Sequence, residues 1–140
     1  AKKELLKVPV LGVGMGFVNV MAIDRTNRES AIRTTEAAAK RIQSGVSFAV
    51  FVEGTRAMPG ELLAFKKGAF YMARQAGVPV VPVAIKNSDV LMGKGTGEAR
   101  AGTLEMVILP PVETAGVETD DDMNRLIAAV RASIAAELKQ

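Results

Sequence analysis

Glu53, Gly54, Thr55 and Arg56 stand in a row within Phe51-Val52-Glu53-Gly54-Thr55-Arg56, after the apolar run 46–50 and before the turn-prone Ala57-Met58-Pro59-Gly60. A carboxylate, a hydroxyl and a guanidinium so close together can grip an anion and orient a hydroxylated molecule beside it. Arg presents a rigid fork of donors that matches phosphate or carboxylate oxygens, and a glycine lets the backbone approach a ligand closely. The chain has no histidine and no cysteine. Zinc sites built on those residues, thiolate nucleophiles and most nucleophile–base pairs are therefore excluded within it. Catalysis by these residues alone would have to use carboxylates, Lys or Arg.

The elements that must hold this motif can be read from periodicity. Residues 18–23 are rich in β-branched side chains and end at the charged pair Asp24-Arg25, predicting a strand. Thr26 with Glu29 three positions later has the form of a capping box, and Ile32, Thr35, Ala39 and Ile42 recur at helical spacing before Gly45. Residues 46–52 then read as a second strand. Strand, helix and strand in this order predict a βαβ unit, so the motif lies where a parallel sheet opens to ligand. Residues 66–76 have helical composition and stop at Gly77, and 78–85 read as a buried strand despite Pro79 and Pro82. Residues 87–102 hold Gly93, Gly95, Gly97 and Gly102 with little apolar material, predicting a mobile loop. A strand over 103–109, stopped by Pro110-Pro111, and an amphipathic helix over 120–138 with an acidic first turn complete the chain. That helix sets Met123, Leu126, Ile127, Val130, Ile134 and Leu138 on one side.

At 140 residues, 49% of them hydrophobic, the chain is expected to be a single domain, 1–140, with a core of its own. The fold class read from the pattern is α/β, a mostly parallel sheet flanked by helices. A net charge of +3 favours anionic partners, but with one Tyr and no Trp there is no aromatic-interleaved basic stripe, so nucleic acid is not expected. No apolar run is long enough to span a bilayer. Residues 8–23 are nearly uncharged and suit an interfacial contact, so a cytoplasmic, membrane-associated protein is expected.

In order and spacing these segments resemble the glycerolipid acyltransferases, and most closely the 1-acylglycerol-3-phosphate acyltransferases. Ala22-Ile23-Asp24-Arg25 stands where that family reads close to "FIDR", and Phe51 to Arg56 stands where it reads "FPEGTR". Phe65-Lys66-Lys67-Gly68-Ala69-Phe70 follows unchanged, and the block "VPVVPV" occupies residues 78–83. Val52 replaces the family's proline. The family's first block, a histidine and an aspartate in the pattern H-x-x-x-x-D, is missing, and Lys2-Lys3-Glu4-Leu5-Leu6 follows it in relatives. The chain thus looks like the larger, C-terminal part of such a domain.

The resemblance implies acyl transfer from acyl-CoA or acyl-carrier protein to the free hydroxyl of a lysophosphatidate, on a peripheral membrane surface, with no metal and no bound cofactor. It implies that Arg56, with Lys2, Lys3 and Arg25, binds the substrate phosphate, while Glu53, Gly54 and Thr55 shape the site around the glycerol. Asp24 and Arg25 read equally well as a structural pair. Lys66 and Lys67 divide evenly between attracting phosphate and forming a solvated first turn, and the methionines, Met72 among them, read as core filler. Gly12, Gly14 and Gly16 lack the spacing of a dinucleotide fingerprint, and Gly93-Lys94-Gly95-Thr96 lacks that of a P-loop. A catalytically inactive lipid-phosphate binding module, or an acyltransferase for glycerol 3-phosphate or another lysolipid, fits the same residues.

Overall fold

The computed structural model describes residues 28–95 and 97–139. The chain divides into two compact units, Ala1–Ser47 and Phe48–Gln140. The strand expected at 18–23 and the Thr26 half of the capping box lie outside the described residues.

In the first unit, α1 (Arg28–Gln43) carries Glu29 in its first turn and Lys40 and Arg41 in its last, the order that complements a helix dipole. Ala38 and Ala39 are buried; on the expected apolar face Thr35 and Ile42 are half-buried, while Ile32 is exposed. The helix closes as the sequence predicts, with the Gly45 N–H donating to Ile42 O at 2.9 Å and the Val46 N–H to Arg41 O at 3.1 Å.

The second unit contains α2 (Gly68–Ala76), β1 (Val83–Lys86), the short α3 (Ser88–Leu91), β2 (Glu105–Ile108) and α4 (Asp120–Glu137). Gly77 ends α2 in the left-handed conformation, φ 69°, a geometry that any side chain would strain. β1 and β2 pair antiparallel, Val83 opposite Ile108 and Lys86 opposite Glu105. Side chains alternate across such a ladder. Ala84 on one face is fully buried in a cluster with Phe65, Phe70, Met123, Leu126, Val130 and Ile134, so α4 covers that face. On the same face the Lys86 ammonium meets Glu137 Oε1 at 2.6 Å, and this hydrogen bond holds the amine's pKa above its ordinary value. Val83, Met106 and Ile108, on the opposite face, are exposed.

Helices packed on a sheet give the expected α/β class, and the ladder among the described residues is antiparallel. Residues 46–52, expected as a strand, carry no ladder among the described residues. Among the described residues, the Val46 N–H completes the cap of α1, Phe51 O accepts from the Gly54 N–H, and Val52 O accepts from the Lys66 N–H. The strand expected over 78–85 is shortened for the reason its prolines suggest. Pro79 and Pro82 have no N–H to donate, so only Val80 pairs ahead of β1, exchanging bonds with Val112 at 2.9 and 2.8 Å, while Pro82 contributes a carbonyl to the Leu109 N–H. The glycine-rich stretch is not a free loop. It forms α3, and it is tied by Asn87 Nδ2 to Thr103 O at 3.0 Å and by the Arg100 N–H to Leu91 O at 2.8 Å.

Helix α4 starts with a full capping box. The Asp122 N–H donates to Thr119 Oγ1 at 3.1 Å while Asp122 Oδ2 accepts from the Thr119 N–H at 2.9 Å. The Thr119 hydroxyl, the Thr119 N–H and the Arg125 guanidinium together hold the Asp122 carboxyl far below its ordinary pKa of 3.8. A carboxyl depressed on folding contributes stability that is present above its unfolded pKa and lost as pH falls toward the folded one. Asp122→Asn should therefore lower the urea midpoint at pH 7, and the gap to the parent should narrow by pH 3. Thr119→Ala is expected to cost about 1 kcal/mol at neutral pH.

Candidate active site

Residues 51–66 form a loop whose ends meet, the Lys66 N–H donating to Val52 O at 2.7 Å. The loop begins in a tight turn, closed by the Gly54 N–H on Phe51 O at 3.1 Å, with Gly54 at φ 75°. That left-handed conformation explains the glycine, since a Cβ would strain it. Glu53 is half-buried and turned across the loop. Its Oε2 accepts the Leu63 N–H at 2.7 Å. Further along, Glu61 Oε2 accepts the Met58 N–H at 3.3 Å, and the Gly60 N–H donates to Asp89 Oδ2 of α3 at 2.9 Å. Arg131 reaches from α4 to Leu62 O at 2.7 Å and Leu63 O at 3.3 Å.

Arg56 lies on this braced loop with an exposed side chain, and among the described residues its guanidinium makes no hydrogen bond or ion pair. Thr55 beside it is exposed as well. The two charged side chains of the motif thus differ: Glu53 holds the loop backbone, while Arg56 is exposed. Lys66 and Lys67 are exposed, and Lys67 stands just before α2, where it offers no side-chain cap. Lys2, Lys3 and Arg25 lie outside the described residues, so the structure brings together Glu53, Gly54, Thr55 and Arg56 from the sequence-derived set.

Two residues that hold the motif carry no local sequence signal. Asp89 reads as an ordinary helix-start acid, and Arg131 as a solvated charge on the polar side of α4. A groove of about 290 Å³ runs along Ala64, Phe65 and Lys67 against Asn124, Ile127 and Arg131. None of Glu53 to Arg56 lines it. Among the described residues no cluster of Asp and Glu is arranged to hold a metal ion, and no helix is long and apolar enough to cross a membrane. Met72 and Met123 are buried in the core, as expected of filler, whereas Met58, Met92 and Met106 are exposed.

The acyltransferase family model matches residues 1–86, so Asp89 and Arg131 lie beyond the matched part. An uncharacterized acyltransferase of Schizosaccharomyces pombe is 40% identical over 130 residues, covering 91% of this chain and 46% of that protein. The 1-acyl-sn-glycerol-3-phosphate acyltransferase of Saccharomyces cerevisiae is 35% identical over 143 residues, covering 100% of this chain and 47% of its own length. A crystal structure of the 1-acyl-sn-glycerophosphate (LPA) acyltransferase from Thermotoga maritima superposes with a TM-score of 0.79 at 32% identity, over 99% of this chain and 55% of that one. The chain spans about half the length of the curated relatives it matches. With the family model matched across most of the chain and the Phe51-to-Arg56 motif seated on a braced loop, the chain belongs to the acyltransferase family.

Proposed function

We propose that this chain supplies the acceptor-binding part of an enzyme that transfers an acyl group from acyl-CoA or acyl-carrier protein to the free hydroxyl of 1-acylglycerol 3-phosphate, giving phosphatidic acid. The observation that carries the reading is the exposed, uncommitted Arg56 guanidinium on a loop held rigid from several sides. The names of the yeast and bacterial relatives support the same acceptor. In this reaction the hydroxyl oxygen forms an ester bond to the acyl carbon, the carbon–sulfur bond breaks, and the hydroxyl proton passes through a general base to the departing thiolate. Arg56 contributes orientation: holding the remote phosphate keeps the hydroxyl beside the thioester. Lys2, Lys3 and Arg25 are proposed to share the phosphate, and Gly54 and Thr55 to border the glycerol. With no cysteine in the chain, its own residues cannot carry an acyl-cysteine. Residues 8–23 and the net positive charge suit a peripheral contact with an anionic membrane.

Arg56→Ala in the intact protein should lower kcat/KM for lysophosphatidate by about 1.5–3 kcal/mol in transition-state binding, the range for a hydrogen bond to a charged group. Arg56→Lys should recover only part, because it keeps the charge and loses the fork. An unchanged kcat/KM in Arg56→Ala would remove the assignment. The absence of histidine favours a second reading, a lipid-phosphate binding module without catalysis. It predicts lysophosphatidate binding by the intact protein with no thiol released from acyl-CoA.

A further inference from the structure

The N–H of Leu63 and the C=O of Leu62 belong to one peptide group, and each end of it is held by a charged side chain. Glu53 Oε2 accepts the N–H at 2.7 Å, and Arg131 Nη2 donates to the C=O at 2.7 Å. Arg131 Nε adds a longer bond to Leu63 O at 3.3 Å. A peptide group is planar, so its two ends turn together. The negative group lies at the N–H end and the positive group at the C=O end, which is the alignment that strengthens both bonds. Loss of either side chain frees the plane to rotate and removes the other's partner. Glu53 is in turn the first polar residue of the turn that leads to Arg56.

We propose that Arg131 is a positioning residue for the acceptor-phosphate site: acting through the Leu62–Leu63 peptide, it fixes Glu53 and with it the loop that presents Arg56. The inference rests on the reading of Arg56 given above. It gives α4 a part in acceptor recognition through a residue that touches no substrate. Arg125, on the same helix and engaged with Asp122, provides a control of equal charge.

The test uses the intact protein with Arg131→Ala, Arg131→Lys, Arg125→Ala and Arg56→Ala, each assayed for steady-state acylation of lysophosphatidate and for binding of glycerol 3-phosphate by calorimetry. Hydrogen exchange at the Leu63 amide is followed in parallel. Arg131→Ala should raise KM for lysophosphatidate about tenfold with kcat nearly unchanged, as loss of uniform substrate binding does, and should speed Leu63 exchange. Arg131→Lys should recover part of both, and Arg125→Ala should move neither. If Arg131→Ala does not fold, Arg131→Lys decides: parental KM and parental Leu63 exchange in that variant overturn the proposal. A folded Arg131→Ala with parental KM overturns it as well. Loss of phosphate binding in Arg56→Ala beside an inert Arg131→Ala sinks the positioning role alone. An inert Arg56→Ala beside faster Leu63 exchange in Arg131→Ala retains the clamp and sinks the phosphate reading.

Discussion

Given lysophosphatidate and an acyl thioester, the 140-residue chain by itself is expected to release thiol no faster than buffer. The acceptor hydroxyl is a poor nucleophile at neutral pH and needs a group to take its proton, and general-base catalysis typically contributes about 10²- to 10⁴-fold. No histidine or cysteine is present to serve. Glu53, the first carboxylate to suspect in their place, already has one oxygen on the Leu63 N–H. Thiol release can be followed by absorbance, with the Saccharomyces cerevisiae relative as positive control. Thiol release by the chain clearly faster than buffer would sink the expectation. Glu53→Gln would then be the next variant to make, and a further collapse of the rate in it would name the base.

Phe70→Ala is expected to destabilise the second unit by about 3–5 kcal/mol, the usual cost of deleting a fully buried aromatic ring. Phe70 and Met123 are both 0% exposed and share one cluster with Ala84 and Val130, so a removed ring leaves a cavity that α2 and α4 can only partly close. Against a total of about 5–15 kcal/mol for an ordinary domain, such a loss approaches the whole margin. In urea the midpoint should fall while the slope stays constant, the mark of a stability change without a change in the surface exposed. Met72→Leu, which conserves volume, should cost less than about 1.5 kcal/mol. A Phe70→Ala midpoint within experimental error of the parent would mean that the ring does not hold the cluster together. Phe65 lies in the same cluster and adjoins Lys66, whose N–H closes the motif loop on Val52. Loosening of the core should therefore be felt in acceptor binding too.

The parts legible in the sequence were those governed by neighbours in the chain. Gly45 and Gly77 ended helices because a left-handed residue after a periodic run is a local requirement. The buried stripe Met123, Leu126, Val130 and Ile134 followed from helical spacing. Residues 78–85 were expected as one strand despite Pro79 and Pro82, and the missing donors cut it to the Val80 bridge and β1. The chemistry of Glu53 to Arg56 was legible as types, a carboxylate and a guanidinium at a turn, and the resemblance gave their order a meaning. What the residue types left open was the division of labour: that Glu53 would accept a backbone N–H while Arg56 stayed uncommitted depends on where Leu63 is carried. For residues 46–52 an apolar run records burial and β-propensity, not the use of its N–H and C=O groups, and the partner expected at 18–23 lies outside the described residues. Asp89 and Arg131 were illegible for a related reason. Each bonds to backbone, which has no sequence identity, and each does so far along the chain.

The same separations bear on synthesis. Glu53 and Leu63 are 10 residues apart, so the crossing bond inside the loop can form almost as soon as both have been added. Arg131 follows Leu63 by 68 residues. At roughly 5–20 residues per second, the ribosome takes roughly 3–14 s to supply it. Through that interval the nascent chain carries every residue of the Phe51-to-Arg56 motif, yet the Leu62–Leu63 peptide has a partner on one side only. A product released early, short of residue 131, would keep the motif as text and lack the guanidinium fork that braces its backbone.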